Sequence, residues 1–387
     1  MFTAQLLSAL GFSMIFPFLP SFVKSLGSVY NLDITFLVGA VFSAQALTMT
    51  IFSPIWGAVA DRFGKKLMVE RALFGGSAII LLMAFSSSAE MLIALRAVQG
   101  MITGVVAAGN ALVASIVPKE RIGYAMGLLS VGLLLGIAVG PLFGGVLADA
   151  FGYEMAFYIT SAFLFAGGVL VFVGVKEAKE DPSLLEKKKN LLSGWWELLN
   201  AEGVRLVYFL RFMSWLGRSV LVPYLPLFLA TLALEEKMLN TATGLIIAVS
   251  AAAATLTSVY FGKLGDRIGH KKILIFSSTA VALVYLPQYF IHSFWWLLAF
   301  QALGGAFLGG VFPTLSALLN NYIKHGEEGS AYGFDNSIVG LARALAPMFG
   351  AVIVMWGGFR MIFIFTAVLF IFSAALAFWK LPDRKYL

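Results

Sequence analysis

Runs of about twenty consecutive apolar residues recur along the whole chain, and each is long enough for an α-helix to cross the hydrocarbon core of a bilayer. In order they fall near 2–24, 34–56, 71–88, 91–114, 124–148, 155–175, 205–232, 241–261, 273–291, 294–319, 331–354 and 360–379. The runs are continuous, whereas strands of a transmembrane barrel alternate apolar and polar residues. Of the 387 residues 60% are apolar and 12% charged. A soluble domain carries about 25% charged residues, so this chain lacks the polar groups to cover a soluble surface. The sequence predicts an all-α integral membrane protein of twelve transmembrane helices, with short loops and no large soluble domain.

The formal net charge of +7 raises the question of nucleic acid. Its distribution answers otherwise. With both termini placed in the cytoplasm, the inside segments hold 20 of the 27 Lys and Arg residues and the outside segments hold Lys24, Lys237 and Arg360. That asymmetry is the positive-inside pattern of a membrane protein. The remaining four, Arg96, Arg211, Arg218 and Arg343, lie inside spans. With no cysteine, disulfides, thiolate metal sites and Cys nucleophiles are excluded together. His270, His292 and His325 are scattered over loop positions, so no metal site is expected. The apolar run begins at Met1 without a basic leader, so no cleavable signal is expected. No nucleophile–base pair or phosphate loop points to an enzyme.

The chain also repeats itself. Phe16-Pro17-Phe18-Leu19-Pro20 meets Val222-Pro223-Tyr224-Leu225-Pro226 at an offset of 206 residues. Gly57, Asp61, Arg62, Gly64 and Lys66 meet Gly262, Asp266, Arg267, Gly269 and Lys271 at 205, and Pro141 meets Pro347 at 206. Two six-span bundles are therefore expected, at 1–175 and 205–387, joined by a polar cytoplasmic linker at 176–204. Such a duplication implies a pseudo-two-fold axis along the membrane normal and a substrate site near the midplane.

Several groups of residues carry chemistry. Between spans 2 and 3, Gly57 and Gly64 permit tight turns. Asp61 can serve at a helix N-terminus, and Arg62, Lys65 and Lys66 can hold an acidic protein face or anionic lipid. In span 4, Arg96, Gln99, Thr103 and Asn110 are spaced to share one helical face. An ionisable residue inside a span points to a cavity or a partner. In span 5, Gly132, Gly136, Gly140, Gly144 and Gly145 form a smooth stripe for close packing around Pro141. Span 7 places Arg211 and Arg218 seven residues apart with Ser214 and Trp215 nearby; in span 11 Asn336 and Arg343 repeat that spacing. Asp335, early in span 11, is the one carboxylate expected inside a span. Four arginines against one aspartate leave an interior that favours a counter-charge, unless they snorkel or pair internally.

These motifs resemble those of the major facilitator superfamily, most closely its twelve-span drug:proton antiporter branch of bacterial multidrug exporters, over essentially the whole chain. The stretch from Gly57 to Lys66 matches that family's loop 2–3 signature; the second copy departs from it at His270. Arg96-Ala97-Val98-Gln99-Gly100 is similar to its span 4 signature, and the span 5 glycines to the pattern typical of antiporters. The resemblance implies proton-gradient-driven efflux of small amphipathic compounds by alternating access, without a cofactor. It also implies that the two loop signatures latch the halves, and that the protein sits in the inner membrane, there expected to be a monomer. One departure bears on coupling: residues 1–24 contain no Asp or Glu, although many proton-coupled relatives titrate a carboxylate in span 1 or 4. Export or exchange of an organic anion or sugar-like metabolite stays open as an alternative, as does a non-transporting receptor or scaffold.

Overall fold

The structure, a computed structural model, describes residues 1–118, 121–177, 203–232, 234–323 and 328–382, without the side chains of Asp61 and 328–330. Among the described residues it is helical throughout, with no strand. Span 1 is bent by 43° between α1 (Phe2–Met14) and α2 (Leu19–Leu26). Pro17 lies at the bend and Pro20 in the first turn of α2, where a missing N–H costs nothing. Spans 2 and 3 are α3 (Ile34–Phe63) and α4 (Lys65–Met83); span 4 divides into α5 (Ala89–Ile102) and α6 (Val105–Ile116). Spans 5 and 6 are α7 (Ile122–Phe151) and α8 (Tyr153–Gly174). Span 7 is interrupted at the matching place, with α9 (Val204–Ser219) and α10 (Leu225–Ala230) on either side of Pro223. Spans 8 to 12 are α11 (Leu239–Ile268), α12 (His270–Tyr285), α13 (Phe294–Tyr322), α14 (Glu328–Gly357) and α15 (Met361–Lys380).

Ten of these segments are long and apolar enough to cross a membrane, and the bent pair α1–α2 makes an eleventh. The twelfth is α4, which begins at Lys65, six residues earlier than the apolar run at 71–88. Its first two turns carry Lys65, Lys66, Glu70 and Arg71. The run started late because those charges belong to the helix and not to the loop.

The repeat is visible in the backbone. Gly64 and Gly269, 205 residues apart, have φ of 101° and 100° and each stands immediately before a helix. A side chain is disfavoured at such φ, so the same residue solves the same tight turn in both halves. A β-carbon on Gly100 would collide with the Gln45 carbonyl, and one on Gly305 with the Ser250 carbonyl, again at an offset of 205.

Contacts group the chain into two compact units, one of Met1–Leu184 with Val222–Ala248, the other of Leu185–Leu221 with Val249–Leu387. In the first, α1 packs on α7 and α8, α3 on α5, and α4 on α8. In the second, α9 packs on α14 and α15, and α12 on α13 and α15. Most of the expected linker 176–204 lies outside the described residues.

Candidate functional site

The loop 2–3 motif of the first unit ends at the start of α4, and that helix start is occupied. The Glu177 carboxylate accepts from the Lys65 N–H at 2.8 Å and the Lys66 N–H at 2.9 Å. The first N–H groups of a helix have no partner inside it, and the dipole there favours an anion. In return Lys66 Nζ donates to the Phe172 carbonyl at 2.8 Å, near the C-terminus of α8, where carbonyls are left over. It also stands 3.6 Å from Glu70 Oε1. Arg62 lies over the Phe63 ring. Asp61 falls in the last turn of α3, and its carboxylate lies outside what the structure describes. Among the described residues nothing lies within 4 Å of where a β-carbon on Gly57 or Gly262 would sit. In the second copy, His270 opens α12 and its Nε2 stands 3.3 Å from Asp266 Oδ1. Arg267 lies in the last turn of α11, and Lys271 follows His270 in α12.

Arg96 is 2% exposed. Its guanidinium donates to Gln99 Oε1 at 2.6 Å and to Gln45 Oε1 at 3.2 Å and lies 5.9 Å from the Phe42 ring centre. Both hydrogen-bond partners are neutral, and Nε has no acceptor. Gln99 and Thr103 are buried beside it, whereas Asn110 is exposed. The helix breaks at Thr103–Gly104, Gly104 having a φ of 142°. The spacing that put four residues on one face assumed an unbroken helix, and Asn110 lies beyond the break.

The span 5 stripe serves two partners. β-Carbons on Gly136, Gly140 and Gly144 would collide with α1, and Gly132 lies against Phe2. One on Gly145 would collide with the Asn240 carbonyl of α11, and one on Gly244 with the Pro141 carbonyl. There the Asp149 carboxylate accepts from Asn240 Nδ2 at 2.7 Å and the Thr241 N–H at 2.6 Å.

In the second unit Arg211 and Asp335 form an ion pair at 2.8 Å, with side chains 12% and 4% exposed. Arg211 also donates to Ser316 Oγ at 2.8 Å and the Phe312 carbonyl at 3.2 Å, while Asp335 Oδ1 has no partner among the described residues. Ser214 turns back onto the Leu210 carbonyl of its own helix. Arg218 and Arg343 both stack on Trp215, and Asn336 and Arg343 are exposed on α14. The four in-span arginines thus divide: one pairs with an acid, one is held by two glutamines, and two share an indole. Gln45, Ser316 and Glu177 had no sequence signal, because each acts on a residue at least 51 positions away.

Charged side chains buried inside a bundle of apolar membrane-length helices mark a pathway, a relay or an internal partner. The chain belongs to the Major Facilitator Superfamily, which it matches over residues 1–235 and 207–386. It is therefore a multi-pass membrane transporter and not an enzyme. It is 34% identical over 88% of its length to the multidrug resistance protein MdtG of Serratia proteamaculans, covering 83% of that protein. The corresponding protein of Proteus mirabilis is 33% identical over 88% of the chain, with 85% of the relative covered. Among solved structures, an inward-facing bacterial homologue of the lysosomal transporter Spinster superposes over 97% of this chain and 94% of its own, with a TM-score of 0.78 at 15% identity. The nucleoside transporter NupG superposes over 97% of both chains with a TM-score of 0.75 at 16% identity. At those identities the likeness is one of fold.

Proposed function

We propose that the protein exports small amphipathic compounds from the cell by alternating access, exchanging them for protons. What carries the reading is 34% identity over 88% of the chain to a protein named for multidrug resistance. Proton coupling is supported by the Arg211–Asp335 pair. Asp335 is the one acid expected inside a span; it is buried, and one of its oxygens has no partner among the described residues. Protonating Asp335 removes its hold on Arg211, which is how a proton would exchange one state of the pair for another. Arginine stays charged at physiological pH, so neither Arg96 nor Arg211 is the carrier. In this account the loop 2–3 residues Gly57 to Lys66 and their second copy, Gly262 to Lys271, act on the conformational balance of the bundles 1–175 and 205–387, not on substrate. The protein sits in the inner membrane as a monomer in lipid, with both termini and the 176–204 linker cytoplasmic. The test is expression in a strain stripped of its own exporters, grown across a panel of toxic compounds. A raised tolerance to several unrelated compounds, lost with Asp335→Asn, is the expected result; unchanged tolerance across the panel overturns the reading.

A further inference from the structure

Arg218 and Arg343 share an aromatic partner and have no acidic one among the described residues. The Arg343 guanidinium carbon stands 4.9 Å from the Trp215 ring centre; that of Arg218 stands 5.9 Å from the same ring and 5.4 Å from Phe312. Both guanidinium groups lie over the same indole. Asp335 is already paired with Arg211. The Tyr285 hydroxyl is 3.5 Å from Gln301 Oε1, and Gln301 Nε2 donates to Gln288 Oε1 at 2.8 Å. The indole N–H of Trp215 is buried with no acceptor. Among the described residues, then, two cations without an acidic partner lie around one indole whose N–H has no acceptor.

Position adds a second argument. Arg343 is the sixteenth residue of the thirty in α14, and it is exposed there. An arginine at that depth faces water or a partner, because exposure to hydrocarbon is too costly. Stacking on an indole compensates only a small part of a desolvated charge.

We propose that Arg218, Arg343 and the Trp215 N–H bind the oxyanion headgroup of an amphipathic substrate, whose apolar body lies on Trp215 and Phe312. A guanidinium fork matches the two oxygens of a carboxylate and holds a spherical anion less well. The use of this site in transport rests on the exporter reading above; the site itself does not.

The probes are radiolabelled 2-naphthoate and 2-naphthylmethylammonium, which share a ring system and differ in charge. Equilibrium dialysis against the purified full chain should find 2-naphthoate bound about tenfold more tightly or better. Arg218→Gln and Arg343→Gln should each weaken 2-naphthoate by about ten- to a hundredfold, the usual scale for a lost charged hydrogen bond, and leave the ammonium probe unchanged or improved. Arg343→Lys should keep part of the affinity. Trp215→Phe, which keeps a ring and loses the N–H, should weaken 2-naphthoate a few-fold, and it tests the site should the glutamine variants fail to fold. Equal binding of the two probes, or folded variants that all keep full 2-naphthoate affinity, overturns the proposal. Growth of exporter-deficient cells across the compound panel separates the two readings. Raised tolerance from a protein that binds the two probes equally refutes the anion site and leaves the exporter. Arginine-dependent anion binding by a protein that protects cells from no compound leaves the site and refutes the exporter.

Discussion

Replacing Asp335 by asparagine leaves Arg211 buried beside an amide of almost the same shape. The pair is 2.8 Å apart with both side chains nearly inaccessible, so solvent screening is slight. Removing one partner of a buried ion pair costs about 3–5 kcal/mol, mostly because the other charge is left uncompensated. Arg211 retains Ser316 Oγ and the Phe312 carbonyl, which places the expected loss near the lower end, about 3 kcal/mol. The double variant Arg211→Gln/Asp335→Asn removes both charges and should regain most of that loss. Function should not follow stability. The amide stands in for a permanently protonated acid, so uptake into inside-out vesicles driven by a pH gradient should stop, while exchange of labelled for unlabelled substrate persists. Thermal unfolding of the purified single and double variants reads the first effect, and flux in vesicles the second. If Asp335→Asn melts like the parent and still concentrates substrate against a gradient, both the energetic argument and the assignment of the proton carrier are wrong.

Arg96→Lys keeps the charge but loses the fork that reaches Gln45 and Gln99 together. Transport should be partly retained if charge alone matters and fall at least tenfold if the two-point hold matters, read as initial flux at equal expression. Glu177→Ala removes the acceptor for two N–H groups at the start of α4 and should cost about 0.5–2 kcal/mol, the range for a lost helix cap; a melting temperature equal to the parent's contradicts that role. For topology, the absence of native cysteine permits clean labelling. An impermeant thiol reagent added to whole cells should modify Lys237→Cys and spare Lys188→Cys, and the reverse pattern inverts the orientation.

The elements legible in the sequence were those set by local chemistry. The apolar runs located the helices because a bilayer demands their length. The repeated prolines at 17 and 223 each fall between two helices, and Gly64 and Gly269 make two turns with positive φ. The start of α4 was misplaced because Lys65 to Arg71 look like a loop by hydropathy while their backbone is helical. The break at Thr103–Gly104 was missed because one glycine in an apolar run looks the same whether it packs or interrupts. Partners distant in sequence could not be read. Nothing in Glu177 announces that it receives the amides of Lys65 and Lys66, and nothing in four arginines tells which one owns Asp335. The span 5 glycines were legible as a packing surface, but not that Gly145 faces α11 while its neighbours face α1.

The central claim is coupled export, and reconstituted flux tests it most directly. Purified protein in liposomes, facing an imposed pH gradient and a compound to which it confers tolerance in the growth panel, should move that compound against its own gradient, with protons running the opposite way. Collapse of the pH gradient with an ionophore should abolish accumulation and leave exchange intact. Accumulation that ignores the pH gradient, or no flux of any compound that protects cells in the growth panel, contradicts the account.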